Sequence, residues 1–258
     1  MTVRYSTAAR NHAAQFGGYA GAFAGGALEI YTGAQPASAD AAVTGTLLCR
    51  YSVSSGALTK EVRAVGSLTI SGASGSVNTV TVNSLDILGT AVPFTTDLTT
   101  MAALVAKEIN RNPRNKLFRA TSAAAVVTIT AIQGLGTLPN TWAVNGTATT
   151  LTLGTLVNMA GGVNQVNGLM FNPVTNAVMS KSDAQVWSGT AAATGTAGWG
   201  RLVGPLTDAG ATDSSEALSR MDFSIATSGA DLNMASTSFT TGAPNTIDTF
   251  SLTVPASV

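Results

Sequence analysis

Ionisable side chains are scarce in this chain of 258 residues, of which only 10% are charged. Its 13 basic and 13 acidic residues give a formal net charge of zero, and it has one histidine, His12, and one cysteine, Cys49. Catalysis by proton transfer or nucleophilic attack needs titratable side chains placed together in a cleft. So small a supply favours a protein that packs and assembles over one that catalyses a reaction. We therefore predict no enzyme activity and no catalytic, cofactor-binding or metal-binding residues.

Small and β-branched residues carry most of the sequence instead. Threonine and valine favour strands, and the 27 glycines, many of them next to Asn, Ser or Thr, favour turns. Aromatic residues make up only 6% of the chain, so its core has to rely on aliphatic side chains. The composition predicts a mainly β fold, arranged as one large or two modest domains.

The neutral net charge also bears on partners. Without a basic excess to neutralise phosphates, nucleic acid is not expected as a partner. A sparsely charged monomer is poorly protected against association, so we favour a surface covered in an assembly over a soluble monomer with a Thr, Ser and Asn surface. No stretch approaches the roughly 18 apolar residues of a membrane span, and no apolar signal-peptide core occurs near the first residue. We therefore expect no membrane partner and folding in a cytoplasm.

Local patterns place the secondary structure. Ser6 and Thr7 are candidate caps of a short alanine-rich helix, after which the glycines of residues 17–26 predict a flexible connection. Residues 95–97 precede the clearest helix, whose apolar side chains recur at helical spacing until Pro113 approaches. A hairpin is predicted for 168–172 with 177–180, and strands for 27–33, 46–53, 68–70, 79–82, 118–122, 126–131, 149–153, 199–203, 221–225 and 250–254.

Several residues invite a chemical interpretation that their surroundings do not favour. His12 has no carboxylate or cysteine at metal-ligand spacing, so we interpret it as a surface or packing residue. The glycines of 17–26 lack the Lys-Ser/Thr that completes a phosphate loop. Cys49 is alone in a strand-like run and is interpreted as a buried thiol. The tryptophans are interpreted as core or interface residues: Trp142, Trp187 and Trp199.

Carboxylates are densest between residues 208 and 222. Glycine and serine nearby suggest a solvated loop, whereas a calcium site would need more oxygen ligands in one short segment. A glycosidase would need two carboxylates about 5–10 Å apart across a cleft. The residues concerned are Asp208, Asp213, Glu216 and Asp222.

Two groups of basic residues are also conspicuous. Lys60, Glu61 and Arg63 are interpreted as a surface charge cluster. A second group follows the predicted helix, and it either binds an acidic neighbour in an assembly or keeps the helix end solvated and favours its dipole. This second group comprises Arg111, Arg114, Lys116 and Arg119.

Residues 25–53, GGALEIYTGAQPASADAAVTGTLLCRYSV, resemble a family of tailed-bacteriophage virion proteins. The likeness lies in a strand followed by IYTG-x-QP, a short Ala/Asp loop and GTLL. Residues 189–203 and 228–255 look like segments from the end of the same family. The resemblance implies a β-rich parent domain of residues 1–64 plus 165–258, folded as an antiparallel sandwich or barrel. Residues 1–24 would form a short helix or an arm laid onto a neighbour.

The intervening residues 65–164 resemble a small α+β module of phage tail and particle proteins. The likeness lies in a strand hairpin, a T-D-x-x-x-x-A-A helix and a V-V-T-I-T-A strand. Thr96, Asp97, Ala102, Ala103 and Val126–Ala131 occupy those places here. An insertion is tolerated where its two ends lie close together, so we expect the module to form an added lobe.

These resemblances imply a structural subunit of a tailed-phage virion, assembled in the host cytoplasm. The expected partners are other copies of the chain and the major capsid or tail proteins, and no cofactor is expected. A capsid decoration or cement protein is the first expectation. A tail subunit (tube, sheath-associated or fibre-proximal) is the alternative, because the inserted module resembles parts of tail proteins. A host-surface or carbohydrate-binding module is a further alternative, which exposed Trp and Tyr in one groove would support.

Overall fold

The computed structural model describes residues 3–16 and 18–253. They form two compact units, which we call unit 1 and unit 2. Unit 1 comprises the described residues of Met1–Lys60 and Gln165–Val258, and unit 2 is Glu61–Asn164. Nearly all strand pairs in both units are antiparallel, and the predicted mainly β fold is confirmed.

The elements follow the chain through unit 1, into unit 2 and back. The first part of unit 1 contains β1 (Arg4–Tyr5), α1 (Thr7–Phe16), α2 (Tyr19–Phe23), β2 (Ala27–Thr32) and β3 (Leu47–Val53). Unit 2 contains β4 (Val65–Ser71), β5 (Ser76–Val82), β6 (Leu85–Asp86), β7 (Val92–Pro93), α3 (Leu98–Arg111), β8 (Phe118–Ala123), β9 (Val126–Ala131), β10 (Val144–Thr149) and β11 (Thr152–Ala160). The second part of unit 1 contains β12 (Val178–Ser180), β13 (Trp187–Thr190), β14 (Gly195–Val203), β15 (Arg220–Ala226), β16 (Leu232–Asn233), β17 (Ser238–Phe239), β18 (Pro244–Ile247) and β19 (Ser251–Thr253).

Unit 1 is built around a nine-stranded sheet with the order β1-β15-β14-β2-β3-β13-β18. The strand β16 lies parallel to β15, and β17 pairs with the start of β14. In this order, strands that precede unit 2 in the chain lie between strands that follow it. Neither part of the chain therefore completes the sheet alone. One face is apolar, because the register places matching side chains opposite one another. These are Leu28, Ile30, Leu202, Met221 and Phe223, all within the core of unit 1.

The N-terminal helices pack on this sheet. Ser6 caps α1 as predicted, since its Oγ accepts the N–H of Ala9 at 3.1 Å. The expectation of an arm is wrong for the described residues, because β1 pairs with β15 and Phe23 lies in the core. Instead of a flexible connection, residues 19–23 form α2. The chain then approaches β14 so closely that a Cβ on Gly26 would lie 1.8 Å from a carbonyl oxygen, which only glycine allows.

Unit 2 consists of two four-stranded antiparallel sheets and α3. One sheet has the order β10-β5-β6 with β7 beside β5, and the other has the order β11-β4-β9-β8. The predicted helix is confirmed, and the Asp97 carboxylate caps it by accepting the N–H of Thr100 at 2.9 Å. Its apolar face, including Met101, Val105 and Ile109, is buried in the core of unit 2.

A buried asparagine connects the end of α3 to β8. The Asn115 side chain donates to the carbonyl oxygens of Ile109 at 2.9 Å and Phe118 at 3.0 Å. Its Oδ1 accepts the N–H of Phe118 at 3.1 Å. One side chain therefore satisfies backbone groups of the last helical turn and of the first residue of the following strand.

Unit 2 begins four residues earlier than the predicted boundary between residues 64 and 65. The Glu61 carboxylate accepts the N–H groups of Gly134 at 2.8 Å and Gly136 at 3.2 Å, and Ala64 is in the core of unit 2. Within unit 1, Thr59 and Val166 exchange two backbone hydrogen bonds of 3.1 and 3.0 Å. The chain therefore leaves unit 1 and returns to it on one antiparallel rung.

Two predicted strands and one predicted hairpin differ from the structure. The segment 149–153 holds the turn between β10 and β11, where Thr150 has a positive φ of 64°. The predicted hairpin is only partly formed, because β12 pairs with β19, although the Asn172 N–H donates to the Ser180 carbonyl oxygen at 3.0 Å. The closing strand is β19, and residues 254 and 255 lie outside the described residues.

Candidate functional site

Five charged residues lie side by side across five neighbouring strands of unit 1. Arg4 on β1 is opposite Asp222 on β15, and Asp222 is opposite Arg201 on β14. Arg201 is also opposite Glu29 on β2, and Glu29 is opposite Arg50 on β3. The sign of the charge alternates at every step, and opposed Cβ atoms of antiparallel strands lie about 5 Å apart. We call these five residues the charge ladder.

The centre of the charge ladder is a fully buried ion pair. Arg201 Nε donates to Asp222 Oδ1 at 2.7 Å and Nη2 donates to Oδ2 at 2.8 Å, and both side chains are 0% exposed. The guanidinium also donates to the Ala41 carbonyl oxygen at 3.2 Å, and it lies 5.4 Å from the ring centroid of Trp199. Such bidentate geometry with further hydrogen bonds is what a buried charge needs to offset its lost hydration.

The end of the charge ladder on β3 reaches the surface. Arg50 Nε donates to Glu29 Oε1 at 2.8 Å, and the Arg50 side chain is 48% exposed. Tyr31 Oη donates to Glu29 Oε2 at 2.7 Å, and its ring stacks on Trp199 at a centroid distance of 4.6 Å. Burial and the Glu29 carboxylate raise the pKa of Tyr31 well above its ordinary value. Tyr31 therefore stays a protonated hydrogen-bond donor.

A second buried ion pair lies beside the ladder. Arg220, two residues before Asp222 on β15, donates through Nε and Nη2 to both oxygens of Asp208 at 2.6 Å. Its Nη2 also donates to the Ala211 carbonyl oxygen at 2.8 Å. Asp213 holds the same loop by accepting the N–H of Leu218 at 2.7 Å. Asp208 thus fixes the loop between β14 and β15 to the sheet, and Asp213 holds the backbone of the loop itself.

The predicted solvated loop of four carboxylates is therefore wrong for three of them. Asp222 lies in the core on β15, and Asp208 and Asp213 are buried through their hydrogen bonds, whereas Glu216 is exposed. Asp208 and Asp222 are each bound by a different arginine, so the two carboxylates do not form one site. Across residues 3–16 and 18–253, no three His, Cys, Asp or Glu side chains are grouped so that they could hold a metal ion.

The predicted surface charge cluster is wrong for Lys60 and Glu61, whereas Arg63 is half-buried. Lys60 Nζ donates to the Gly204 carbonyl oxygen at 3.0 Å within unit 1. Burial lowers the pKa of Lys60 to about 8, an effect that the nearby Glu29 opposes. Glu61 is only 3% exposed within unit 2. These side chains stabilise loops and do not form a solvated patch.

The aromatic side chains are packed. Trp187 and Trp199 are fully buried, and Trp142 lies edge-on against Phe118 at 6.2 Å, which confirms their interpretation as core residues. The chain has three tryptophans and four tyrosines, and all seven lie among the described residues as buried or half-buried side chains. The exposed aromatic groove that would support carbohydrate binding is not present in this described part.

The lone histidine and cysteine are packing residues. Cys49 is fully buried on β3, as predicted, and burial raises the pKa of its thiol to about 11. His12 is half-buried on α1, where its Cε1 would lie 3.2 Å from a Cβ on Gly21 of α2. Burial lowers the pKa of His12 below its ordinary value. Neither side chain is placed as an accessible nucleophile or metal ligand.

The basic cluster after α3 is divided between internal partners and solvent. Arg111 pairs with Glu108 at 2.7 Å, and Arg119 donates to the Phe118 carbonyl oxygen at 2.8 Å. Arg114 and Lys116 are exposed. Arg111 and Glu108 also line a shallow cavity of about 290 Å³ between α3 and β7. Both alternatives for this cluster therefore stay predictions.

Four of the five ladder residues were not singled out from the sequence. The signal that would have found them is a single charged residue inside an apolar strand, as in ALEIYT, LLCRYSV and GRLV. Such a residue is either solvent-facing or paired across the sheet, and only the strand register distinguishes the two. Arg4, Glu29, Arg50 and Arg201 are of the paired kind.

The described helices include none that is long and apolar enough to cross a membrane. Comparison of the chain with protein-family models, with curated proteins and with solved structures found no match.

Proposed function

We propose that the chain is a structural subunit of a tailed-phage virion, and that it lies on the capsid as a decoration or cement protein. The observation that carries the proposal is the charge ladder. It uses charged side chains, scarce in this chain, on five neighbouring strands, and its two ion pairs join β15 to β14 and β2 to β3. A buried ion pair of this kind favours a rigid and uniquely packed subunit, which repeated assembly requires.

The surface supports the same proposal. Eleven large apolar side chains in the described part of the chain are exposed, while only 10% of all residues are charged. A neutral, weakly charged surface favours association with other protein surfaces. The resemblance of residues 25–53 to phage virion proteins adds the kind of particle, which the packing alone does not identify.

The tail remains the second candidate. The observation that favours it is the inserted unit, whose T-D-x-x-x-x-A-A helix and V-V-T-I-T-A strand resemble modules of tail proteins. The carbohydrate-binding alternative loses its expected support, since no Trp or Tyr is exposed among the described residues. A glycosidase is not proposed, because Asp208 and Asp222 are each bound by a buried arginine.

Cryo-electron microscopy of purified particles tests the proposal, with unit 1 and unit 2 fitted into the density as separate bodies. Copies at regular positions on the capsid lattice would support the decoration function. Rings or tip complexes along the tail would replace it with the tail function. Mass spectrometry of gradient-purified particles provides the control, and absence of the chain from intact particles would overturn the proposal as a whole.

A further inference from the structure

The strand β11 is the edge of its sheet in unit 2. Its strand partner is β4, at the end of the order β11-β4-β9-β8. On the other side, Met159 exchanges backbone hydrogen bonds with residues 141 and 142, and Asn158 Oδ1 accepts the N–H of Val144 at 3.2 Å. These contacts occupy the C-terminal end of the strand. On the side away from β4, the stretch from Gly154 to Val157 has no strand beside it among the described residues.

This free stretch is exposed on both faces. Successive residues of a strand point to opposite faces, and Leu156 and Val157 are 38% and 46% exposed. Gly154 and Thr155 before them are exposed as well. Two register irregularities flank the Leu156–Val157 pair, so these two residues form a short regular segment between two bulges of the β11–β4 ladder.

The usual protection of an edge strand is largely missing. Natural edges are protected by charged side chains, by proline, by short length or by a covering segment. The strand β11 has nine residues, with neither a charge nor a proline, and only its two bulges disturb pairing. An uncovered, uncharged edge with exposed apolar side chains is typical of a surface that pairs with another strand.

The absence of charge on this edge favours a second copy of the chain as its partner. No charged residue occurs anywhere between Arg119 and Lys181. A strand that pairs with its own copy about a two-fold axis brings any charge near the axis close to the same charge of its mate, which is unfavourable. An uncharged strand has no such repulsion, and it offers nothing to attract a charged partner. The electrostatics of this edge thus fit a second copy of the same strand.

We propose that β11 is a self-association edge, through which two copies of this chain pair antiparallel and join their β11-β4-β9-β8 sheets. The backbone groups of residues 154–157 would then be satisfied by the partner copy. Leu156 and Val157 would contact the same residues of that copy. This inference rests on the proposed function for its setting, an assembly of many copies, but the pairing itself is measurable on the purified chain.

Sedimentation velocity of the full chain over a range of concentrations tests the inference. We expect the mean sedimenting mass to rise with concentration from that of a monomer to that of a dimer. Thr155→Lys should abolish this rise, because it adds a positive charge to each copy close to the two-fold axis. Thr121→Lys is the matched control, since Thr121 is exposed on β8 at the opposite edge of the same sheet. A wild-type chain that stays monomeric, or equal behaviour of the two variants, would overturn the inference.

Amide hydrogen exchange on the wild type makes the test independent of the variants' folding. We expect exchange at residues 154–157 to slow at high concentration, and unchanged exchange there would contradict self-pairing. The two proposals fail separately. Particles that contain the chain without a strand beside β11 would overturn this inference alone. A chain that pairs through β11 in solution but is missing from particles would overturn only the proposed function.

Discussion

Arg201 and Asp222 illustrate how a charge is kept inside a protein core. Both side chains are completely buried, and two short hydrogen bonds join them. Removing one member of a buried pair leaves the other charge unpaired, which costs far more than the pair itself contributes. Arg50 and Glu29 form a similar contact in which the arginine side chain is half exposed and the glutamate is buried. If Arg50 is removed, Tyr31 Oη still donates to the Glu29 carboxylate.

We expect Arg201→Met to lower the free energy of unfolding by about 3–5 kcal/mol. The matched control Arg50→Met should lower it by less, because Arg50 itself is half exposed and Glu29 keeps the hydrogen bond from Tyr31. The double variant Arg201→Met/Asp222→Leu should recover part of the loss by removing both charges. Urea denaturation measures all three, and an equal loss for Arg201→Met and Arg50→Met would contradict the argument.

Lys60 predicts a pH dependence of stability. Its pKa is about 8 in the folded protein against 10.5 for the free side chain. Between these values the unfolded chain binds more protons, so the free energy of unfolding should rise as pH increases from 8 to 10.5. The contribution over this range is about 3 kcal/mol.

The measurement is the difference in unfolding free energy between the wild type and Lys60→Met across this pH range. Tyrosines with raised pKa values, such as Tyr31, titrate in both proteins and cancel in the difference. The free energy of unfolding of the wild type should rise relative to that of the variant as the pH increases. A difference that stays constant would show that Lys60 is not held in a buried environment.

Elements specified by local pattern were predicted well. The helix α3 follows from a capping aspartate and apolar residues at helical spacing, and β9 from a β-branched run at 126–131. The turn between β10 and β11 was missed, because Thr150 adopts a positive φ that threonine rarely takes. Residue preferences alone contain no signal for such a turn.

Pairing between distant strands was not predictable in the same way. The segment Arg220–Ala226 alternates polar and apolar residues, which is typical of a strand with one solvated face. In the structure six of its seven residues are buried. On the second face of the sheet, the loop residues Ala41 and Ala211 accept hydrogen bonds from Arg220. Whether Asp222 faces water or Arg201 depends on residues far away in sequence, and no local pattern records that.

At the scale of the whole molecule, the chain has two separate hydrophobic cores. The core of unit 1 contains only residues outside 61–164, and the core of unit 2 contains only residues within it. The chain leaves and re-enters unit 1 at Thr59 and Val166, which are hydrogen-bonded to each other. Each unit therefore has the buried apolar residues and the adjacent ends needed for independent folding.

We expect a chain in which residues 61–164 are replaced by Asn-Gly to fold. Lys60 and Gln165 would flank the new turn, giving a short hairpin loop on the existing rung. Thermal unfolding followed by near-ultraviolet circular dichroism should show one cooperative transition, since Trp187 and Trp199 keep their packing. Residues 61–164 expressed alone are the control, and a deletion variant without a cooperative transition would show that unit 1 depends on unit 2.

The order of the charge ladder has a consequence for synthesis on the ribosome. Arg4, Glu29 and Arg50 are translated before unit 2, whereas Arg201 and Asp222 are translated after it. At ordinary elongation rates the wait is on the order of ten seconds. During it the nascent β1 and β2 lack their later neighbours, while unit 2 emerges with all its own strands and folds first. The early strands thus await their partners as an exposed nascent segment, the stage at which chaperones act on a growing chain.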